Sequence, residues 1–438
     1  MSHSLEHQDD NAVSLPTGGD EATQTLDTSD AFPHVVLPSD YHFQQIDRKY
    51  TSAPKLKADE KEADLGVLSG FQGVWHGIGL NQIFRPNSGA TPTKLPIPVT
   101  PAPPEPPNDA ILELNLIRET LSFSEPLGDI PNRGFGGQGD IFLNGRTYLQ
   151  SVDDVANPET GDYDGQPVNI HIENGMWMHV PKTDVEPKLD ASVARMGTIP
   201  HGTTINAQGI QLSNTLSGPP PIAAAPITPF IIGQPTNLVS FPSQTATAND
   251  TARLPQDLSK FIAAGTITQE ILDDVNVVLR DAIKDQKITE TTTIIISTTP
   301  NIPVDDDGTS NIAFLTGTKP TATAAATPNA NALHMEAIFW IETVEYEIEV
   351  PSWKPGQKPL HIKPKQPSKF TPVPCFEVKP PHKITKPQNI KVETKQIQYT
   401  QLVNLDFGPL TWPHRSVATL VPKAPVLVPD SAFKADGN

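Results

Sequence analysis

Histidines in strand-like segments are the side chains of this sequence that are best suited to chemistry. Four of them, His76, His201, His334 and His414, lie in partly apolar surroundings that resemble strands. An imidazole can transfer a proton near neutral pH, ligate a metal ion or bind a haem iron. A single histidine in such a position is more often structural than functional, so these positions alone leave the chemistry open.

A second set of residues could perform acid–base chemistry. His171 and Glu173 stand two residues apart in H-I-E, which places both on one face of a strand, and Glu119 lies in the strand-like L-I-R-E-T-L-S-F. Such groups act as acids or bases when an apolar interior perturbs their pKa values. The sequence does not decide which face of each strand points inward, so the orientation of these three side chains stays open. H-I-E lacks the HExxH pattern and a third ligand, so no dedicated zinc site is predicted.

Other short motifs lack the residues that their usual chemistry needs. G-F-G-G-Q-G at 134–139 has no Lys-Ser/Thr ending and leads into a strand, unlike a phosphate-binding loop. D-D-D-G at 305–308 lacks the spacing of a calcium loop. The single cysteine, Cys375, excludes a disulfide framework, and no serine nucleophile elbow is present. Hydrolytic enzyme classes are therefore not predicted.

Composition narrows the class of protein further. The 438 residues include 47 Pro and carry a formal net charge of −18, which disfavours nucleic-acid binding because phosphate contacts need clustered Lys and Arg. The N-terminus has no basic start followed by an apolar run, and no stretch of 18 apolar residues occurs. We therefore expect a soluble, cytoplasmic protein without a membrane span.

Alternation of apolar and polar residues predicts a mainly β protein. Residues 71–84 begin F-Q-G-V-W-H-G-I-G, where Trp75 and several Gly share one face and leave it nearly bare of side chains. The predicted strands are 71–84, 111–123, 140–150, 167–180, 203–212, 291–298, 311–316 and 333–350, with two more from 397 onward. This pattern is typical of half-buried antiparallel strands, and it predicts an antiparallel β-barrel.

The rest of the chain divides into a domain and its extensions. The predicted parts are an acidic flexible tail at 1–65, a barrel domain at 66–350 with a Pro-rich insert at 95–107 and a helical hairpin at 254–288, a basic Pro-rich arm at 351–395, and C-terminal strands at 396–438 that pack on the barrel. The tail and the arm carry opposite charge, so they could join subunits of a homo-oligomer.

Taken in order, these segments resemble the nitrobindin family of haem-binding, fatty-acid-binding-protein-like (calycin-like) barrels. G-V-W-H-G-I-G at 73–79 is similar to the first strand of that family, and I-H-I-E-N-G-M-W-M-H-V-P at 170–181 is similar to a later one. The resemblance covers roughly half of the chain. It implies haem b as the cofactor, with His334 in H-M-E-A-I as the axial ligand and metal-binding residue, and with His201 and His414 as rivals.

Three functions remain open from the sequence. The first is a barrel that binds haem or another flat apolar ligand, with Trp75 and Trp177 lining or plugging the interior and with gas binding or peroxidase-like activity implied. The second is a haem-free barrel enzyme of isomerase or lyase type acting on a lipid-like substrate through Glu119, Glu173 and His171. The third is a structural or assembly protein with a filled barrel.

Overall fold

The computed structural model describes residues 64–99, 110–183, 188, 190–212, 215–299, 308–311 and 330–433 of the chain. Contacts group Glu62–Asn438 into one compact unit. Nearly all of the predicted acidic tail at 1–65, most of the Pro-rich insert at 95–107 and most of the predicted strand at 311–316 lie outside the described residues.

Strands form most of the regular structure. They are β1 (Gly73–Pro86), β2 (Ala110–Phe123), β3 (Ile130–Asn132), β4 (Ile141–Asp154), β5 (Val168–Val180), β6 (Ser192–Thr198), β7 (Thr203–Gln211), β8 (Leu216–Ser217), β9 (Phe230–Ile231), β10 (Gln234–Leu238), β11 (Arg253–Leu254), β12 (Lys287–Ser297), β13 (Thr309–Asn311), β14 (Asn331–Val350), β15 (Leu360–Ile362), β16 (Phe376–Val378), β17 (Gln388–Phe407), β18 (Leu410–Pro422) and β19 (Val426–Leu427). Three short α-helices, α1 (Ser259–Ala264), α2 (Gln269–Asp273) and α3 (Val277–Ile283), and 3-10 turns at Gly66–Gly70, Pro242–Gln244 and Asp430–Ala432 complete the described elements.

Ten of the strands close into an antiparallel barrel. Their order is β1-β2-β4-β5-β6-β7-β12-β14-β17-β18, and β18 pairs with both β17 and β1, which joins the two ends of the sheet. Closure leaves the barrel without free edges along these strands. The predicted mainly β fold with an antiparallel barrel is confirmed.

The barrel continues beyond residue 350, where the sequence analysis ended it. Its last two strands are β17, which begins inside the predicted Pro-rich arm, and β18. Strand β14 pairs with β17 along nearly its whole length, from Asn331↔Asp406 to Val350↔Gln388. The C-terminal strands that were expected to pack on the barrel therefore form part of its wall, which begins at Gln388 and closes when β18 pairs with β1.

The part of the predicted Pro-rich arm that precedes β17, residues 351–387, packs against the outer side of the barrel. Its strands β15 and β16 form a small separate sheet with β19. Trp353, Phe376 and Ile384 are 4%, 1% and 4% exposed and belong to the core outside the barrel wall. Burial of these apolar side chains holds the segment in place, although its many lysines suggested a solvated chain.

The helical stretch comprises three short helices, where the sequence predicted a hairpin. Thr268 caps α2, since its side chain accepts a hydrogen bond from the Ile271 backbone N–H at 3.3 Å. Gly265 ends α1 with a φ of 75°, as the predicted stop signal requires. Pro255 follows a cis peptide bond, lies in a bend after β11 and does not begin a helix.

The barrel wall separates two apolar cores. One lies inside the barrel, and the other lies on its outer side, where the helices and the C-terminal segment cover part of the wall. Leu80 and Phe84 on β1 belong to the outer core, while Trp75 on the same strand belongs to the inner core. Among the described residues, no helix is both long enough and apolar enough to cross a membrane.

The glycines of β1 are needed because the neighbouring strand lies very close. A Cβ atom at Gly77 would lie 1.9 Å from the Thr419 carbonyl oxygen, and one at Gly79 would lie 1.9 Å from the Val417 carbonyl oxygen. Both obstructing atoms belong to the backbone of β18, which the barrel closure fixes. The bare face of the first strand therefore allows β1 and β18 to approach.

We expect Gly79→Ala to lower the free energy of unfolding by about 2–3 kcal/mol, because the added methyl group must displace the β18 backbone. Urea unfolding followed by tryptophan fluorescence measures the change. Gly89→Ala is the matched control, since a Cβ atom there would meet no atom within 4 Å. Equal effects of the two substitutions would contradict this account of β1.

Candidate functional site

The end of the barrel near residue 71 is filled by aromatic side chains. Phe71 stacks on Phe123 with ring centroids 4.8 Å apart and meets Trp177 edge-on at 5.4 Å. Trp75 is also buried, and its indole N–H donates to the Gln72 carbonyl oxygen at 2.9 Å. The structure thus places Trp75 and Trp177 in the barrel interior, where they fill space.

A buried ion pair lies beyond this aromatic layer. Arg195 Nη2 donates to Glu173 Oε1 at 2.8 Å, and the two side chains are 4% and 0% exposed. Arg195 also donates to Tyr148 Oη at 3.1 Å and to Gln401 Oε1 at 2.8 Å, while the Tyr148 hydroxyl donates to Glu173. Burial raises the pKa of Glu173, but the charge of Arg195 and the contacts with His171 and Tyr148 together outweigh that effect and hold the pKa below its usual range. The pair is ionised at neutral pH.

A second buried carboxyl, Glu119, faces the same interior without a cationic partner in contact. It accepts hydrogen bonds from the Tyr399 hydroxyl at 2.5 Å and from Gln150 Nε2 at 2.9 Å. Burial raises the pKa of Glu119 to about 7, although these two hydrogen bonds oppose the rise. Near neutral pH this carboxyl can therefore either hold or release a proton.

Two histidines meet at the opposite end of the interior from the aromatic layer. His171 lies two residues before Glu173 on β5, and its Nε2 is 3.4 Å from Glu173 Oε2. His201, in the turn between β6 and β7, places its ring 5.2 Å from that of His171 at an angle of 89°. Because residues i and i+2 share a strand face, the inward position of Glu173 also fixes that of His171. We call this part of the barrel the histidine end.

The third histidine of this end comes from β18. His414 and Ser416 lie four and two residues from Ala418, which belongs to the interior core, so period 2 puts both on the inner face. Asn81 Nδ2 on β1 lies 2.8 Å from both His414 Nε2 and Ser416 Oγ. Burial, together with the charges of His171 and His201, lowers the pKa of His414 to about 3, so this imidazole is neutral.

His334 lies on the outer face of the barrel, which corrects its assignment as a ligand in the interior. Met335 and Ala337 belong to the interior core, so the alternating His334 and Glu336 point outward. His334 Nδ1 contacts the Thr299 hydroxyl, and its Nε2 lies 3.7 Å from Glu336 Oε2. The short match H-M-E-A-I gave no information on which face of the strand points inward.

The cavity beside the aromatic layer is too small for a haem. The cavity between Leu121, Tyr148, Trp177, Phe339 and Tyr399 measures about 10 Å³. Space of that size holds about one water molecule, whereas small-molecule pockets measure about 300–1,000 Å³. Haem b or another flat apolar ligand would have to displace several packed aromatic rings. Nor do the described residues contain a group of three or more His, Cys, Asp or Glu arranged to hold a metal ion.

Comparison of the chain with protein-family models, with curated proteins and with solved structures gave no match. The resemblance to the nitrobindin family stays a prediction.

The structure brings together residues that the sequence analysis did not select. Tyr148, Gln150, Arg195, Tyr399 and Gln401 belong to no motif, yet all of them border the polar interior. The alternation of side chains along β6 could have identified Arg195. In S-V-A-R-M-G, Arg195 lies on the same strand face as Val193, and Val193 is apolar and belongs to the interior core. Polar residues at inward positions of a barrel strand could have identified the site.

Proposed function

We propose that the protein is a haem-free ligand-binding β-barrel. In this proposal a small polar ligand binds at the histidine end and exchanges a proton with His171. The observation that carries the proposal is a chain of contacts from the half-buried imidazole of His171 to the buried carboxylate of Glu173 and on to the buried guanidinium of Arg195.

This chain has the arrangement that acid–base groups require. A carboxylate that contacts an imidazole orients its ring and stabilises its protonated form, as in hydrolase triads. Arg195, together with His171 and Tyr148, keeps Glu173 ionised. His171 is 22% exposed in its side chain, so a ligand from solvent can reach it, whereas Glu173 is fully buried.

Glu119 supports the same assignment. A buried carboxyl with a pKa near 7 matches the pH at which proton transfer is most efficient. Glu119 lies close enough to His171 for the histidine charge to oppose the rise of this pKa. Strongly perturbed groups of this kind cluster at functional sites more often than elsewhere.

The chemical groups around the histidine end favour a polar ligand over an apolar one. Asn81, Asn115 and Ser416 form a chain of hydrogen bonds beside His414, with Asn115 Nδ2 donating to Asn81 Oδ1 at 3.2 Å. All four side chains are partly exposed. Amide, hydroxyl and neutral imidazole groups offer both donors and acceptors, which suits hydroxyl, amide or carboxylate groups of a small molecule.

Histidine NMR tests the proposal with glycolaldehyde, acetamide and malonate as probes. We expect at least one probe to shift the ring resonances of His171, His201 and His414 in a saturable way and to leave His334 unchanged. His171→Asn should weaken that probe about tenfold, the value of one lost hydrogen bond, about 1.4 kcal/mol. The outward-facing His334→Asn is the matched control and should bind as wild type does.

A filled structural barrel is the second candidate, and the packed interior favours it. In that case none of the three probes shifts the resonances of the histidine end. An equal loss of probe binding in His171→Asn and His334→Asn would also argue against a site at this end.

A further inference from the structure

The outer face of β1 carries a histidine that the candidate site does not use. Trp75 belongs to the interior core, so the alternating His76 points outward, at the end of the barrel that the aromatic layer fills. The His76 side chain is half-buried, and its ring nitrogens have no hydrogen-bond partner among the described residues. The imidazole is therefore available to a ligand that approaches the outer face.

Two lysines lie beside His76. Lys423 directly follows β18, and its backbone N–H donates to the Val74 carbonyl oxygen at 2.8 Å. Lys363 directly follows β15, and the small sheet of β15 also contains β19, which begins three residues after Lys423. Burial and then the charges of Lys423 and Lys363 lower the pKa of His76, so both ammonium groups lie close to the imidazole.

Two hydroxyl groups border the same place. On β2, Thr120 pairs directly with His76 and Ser122 pairs with Val74, and both alternate with the inward-facing Leu121. Directly paired residues on one face of a sheet have Cβ atoms about 4.5–5.5 Å apart. Both hydroxyl side chains are partly exposed and can donate a hydrogen bond to an oxygen atom of a ligand.

The positive charge of this group has no counterpart in the described part of the chain. The whole sequence has 50 acidic and 32 basic residues, yet neither Lys363 nor Lys423 forms an ion pair with a described residue. Both lysines are exposed, so they can meet an anion from solvent. We call His76, Lys363 and Lys423 the cationic cluster.

From this arrangement we propose that the cationic cluster binds a phosphate group, either free phosphate or the phosphate of a small phosphomonoester. A phosphate group carries about −1.5 to −2 charges at pH 7, so it can satisfy two ammonium groups at once, whereas a carboxylate carries a single charge. Its several oxygens can also accept from the imidazole and from the hydroxyls of β2. The site lies on the outer face of the barrel and does not depend on the function proposed for the histidine end.

The exposure of the two lysines sets the expected strength. An exposed ion pair changes affinity by a factor of a few, so we expect a Kd in the millimolar range at low salt. Added sodium chloride should weaken the binding, because exposed charges are screened.

Histidine and phosphorus NMR on the full chain test the site at constant ionic strength, with inorganic phosphate, methyl phosphate and acetate as probes. At least one phosphate probe should shift the His76 ring resonances in a saturable way and raise the pKa of His76, because a dianion favours the imidazolium. His334, elsewhere on the outer face, should not shift. Acetate should bind at least about threefold more weakly, since it carries one charge.

Substitution of the lysines separates this site from a general effect of charge. Lys363→Gln and Lys423→Gln should each weaken phosphate binding about threefold, and the double variant about tenfold. Lys354→Gln is the matched control, since Lys354 is exposed on the same C-terminal segment but its charge does not act on His76. Phosphorus linewidths give the Kd without relying on the His76 signal, and thermal unfolding establishes that each variant folds.

The stronger of the two phosphate probes identifies the source, free phosphate or a phosphomonoester. A wild type whose His76 resonances show no saturable shift with either phosphate probe would overturn the proposal. So would a shift that sodium chloride of the same ionic strength reproduces, or an equal loss of binding in Lys354→Gln and Lys363→Gln.

Discussion

Replacing Arg195 by methionine should lower the free energy of unfolding by about 3–5 kcal/mol, because the substitution leaves the Glu173 carboxylate buried and without its guanidinium partner. Glu173 is fully buried and Arg195 donates directly to it. The same substitution removes the donors to Tyr148 and Gln401. Denaturant unfolding at pH 7 measures the loss, and the slope of the transition shows whether the unfolding remains cooperative.

The double variant Arg195→Met/Glu173→Gln separates a lost contact from an uncompensated charge. Glutamine has nearly the shape of glutamate without its charge, so the double variant should recover part of the stability lost by Arg195→Met. We expect a favourable coupling energy of about 1–3 kcal/mol in this cycle. A double variant that loses the sum of the two single losses would show that the ion pair is not what makes Arg195 important.

The second large effect concerns Glu342, a buried carboxyl on the outer side of the barrel wall. Its Oε2 accepts a hydrogen bond from Gln396 Nε2 at 2.7 Å, and Gln396 also exchanges hydrogen bonds with Gln286, which follows the last helix. Glu342 is fully buried, and burial raises its pKa to about 8. The carboxyl is therefore largely protonated at neutral pH.

This raised pKa gives stability a defined pH dependence. Folding favours the protonated form, so the contribution of Glu342 is complete below its unfolded pKa of about 4.5 and is lost as pH rises to about 8. The whole effect is on the order of 5 kcal/mol. Glu119, with its pKa raised to about 7, adds a loss of the same sign over the lower part of this range.

We expect Glu342→Gln to abolish the part of this pH dependence that is due to Glu342. The variant should resemble wild type at pH 5 and exceed it in stability at pH 9, since an amide does not ionise. Urea unfolding across pH 5–9 measures the difference. Glu349→Gln is the matched control, because Glu349 is exposed on the same strand. A wild type whose stability is level between pH 5 and 9 would contradict the burial of a protonated Glu342.

The sequence predicted the fold class better than it predicted the limits of the barrel. Strand alternation identified most of the wall, including residues 111–123, 167–180 and 333–350, because each strand has one face in an apolar core. The packing of the region 351–395 was not predicted from its sequence. Lysines and prolines outnumber the apolar residues there, yet a few buried apolar side chains, such as Trp353 and Phe376, anchor the region to the core. Composition averages over a segment, whereas packing depends on individual side chains.

Only part of the candidate site could be predicted from the sequence. Local pattern determined that His171 and Glu173 share a face and that the chain forms antiparallel strands, because both properties follow from the period of two in a single strand. Only the tertiary structure decided that His171, His201 and His414 meet at one end, that Glu119 and Arg195 face the same interior, and that His334 faces outward. Period two relates residues within a strand. Which face points inward, and which strands become neighbours, is fixed only when β18 pairs with β1 and the barrel closes.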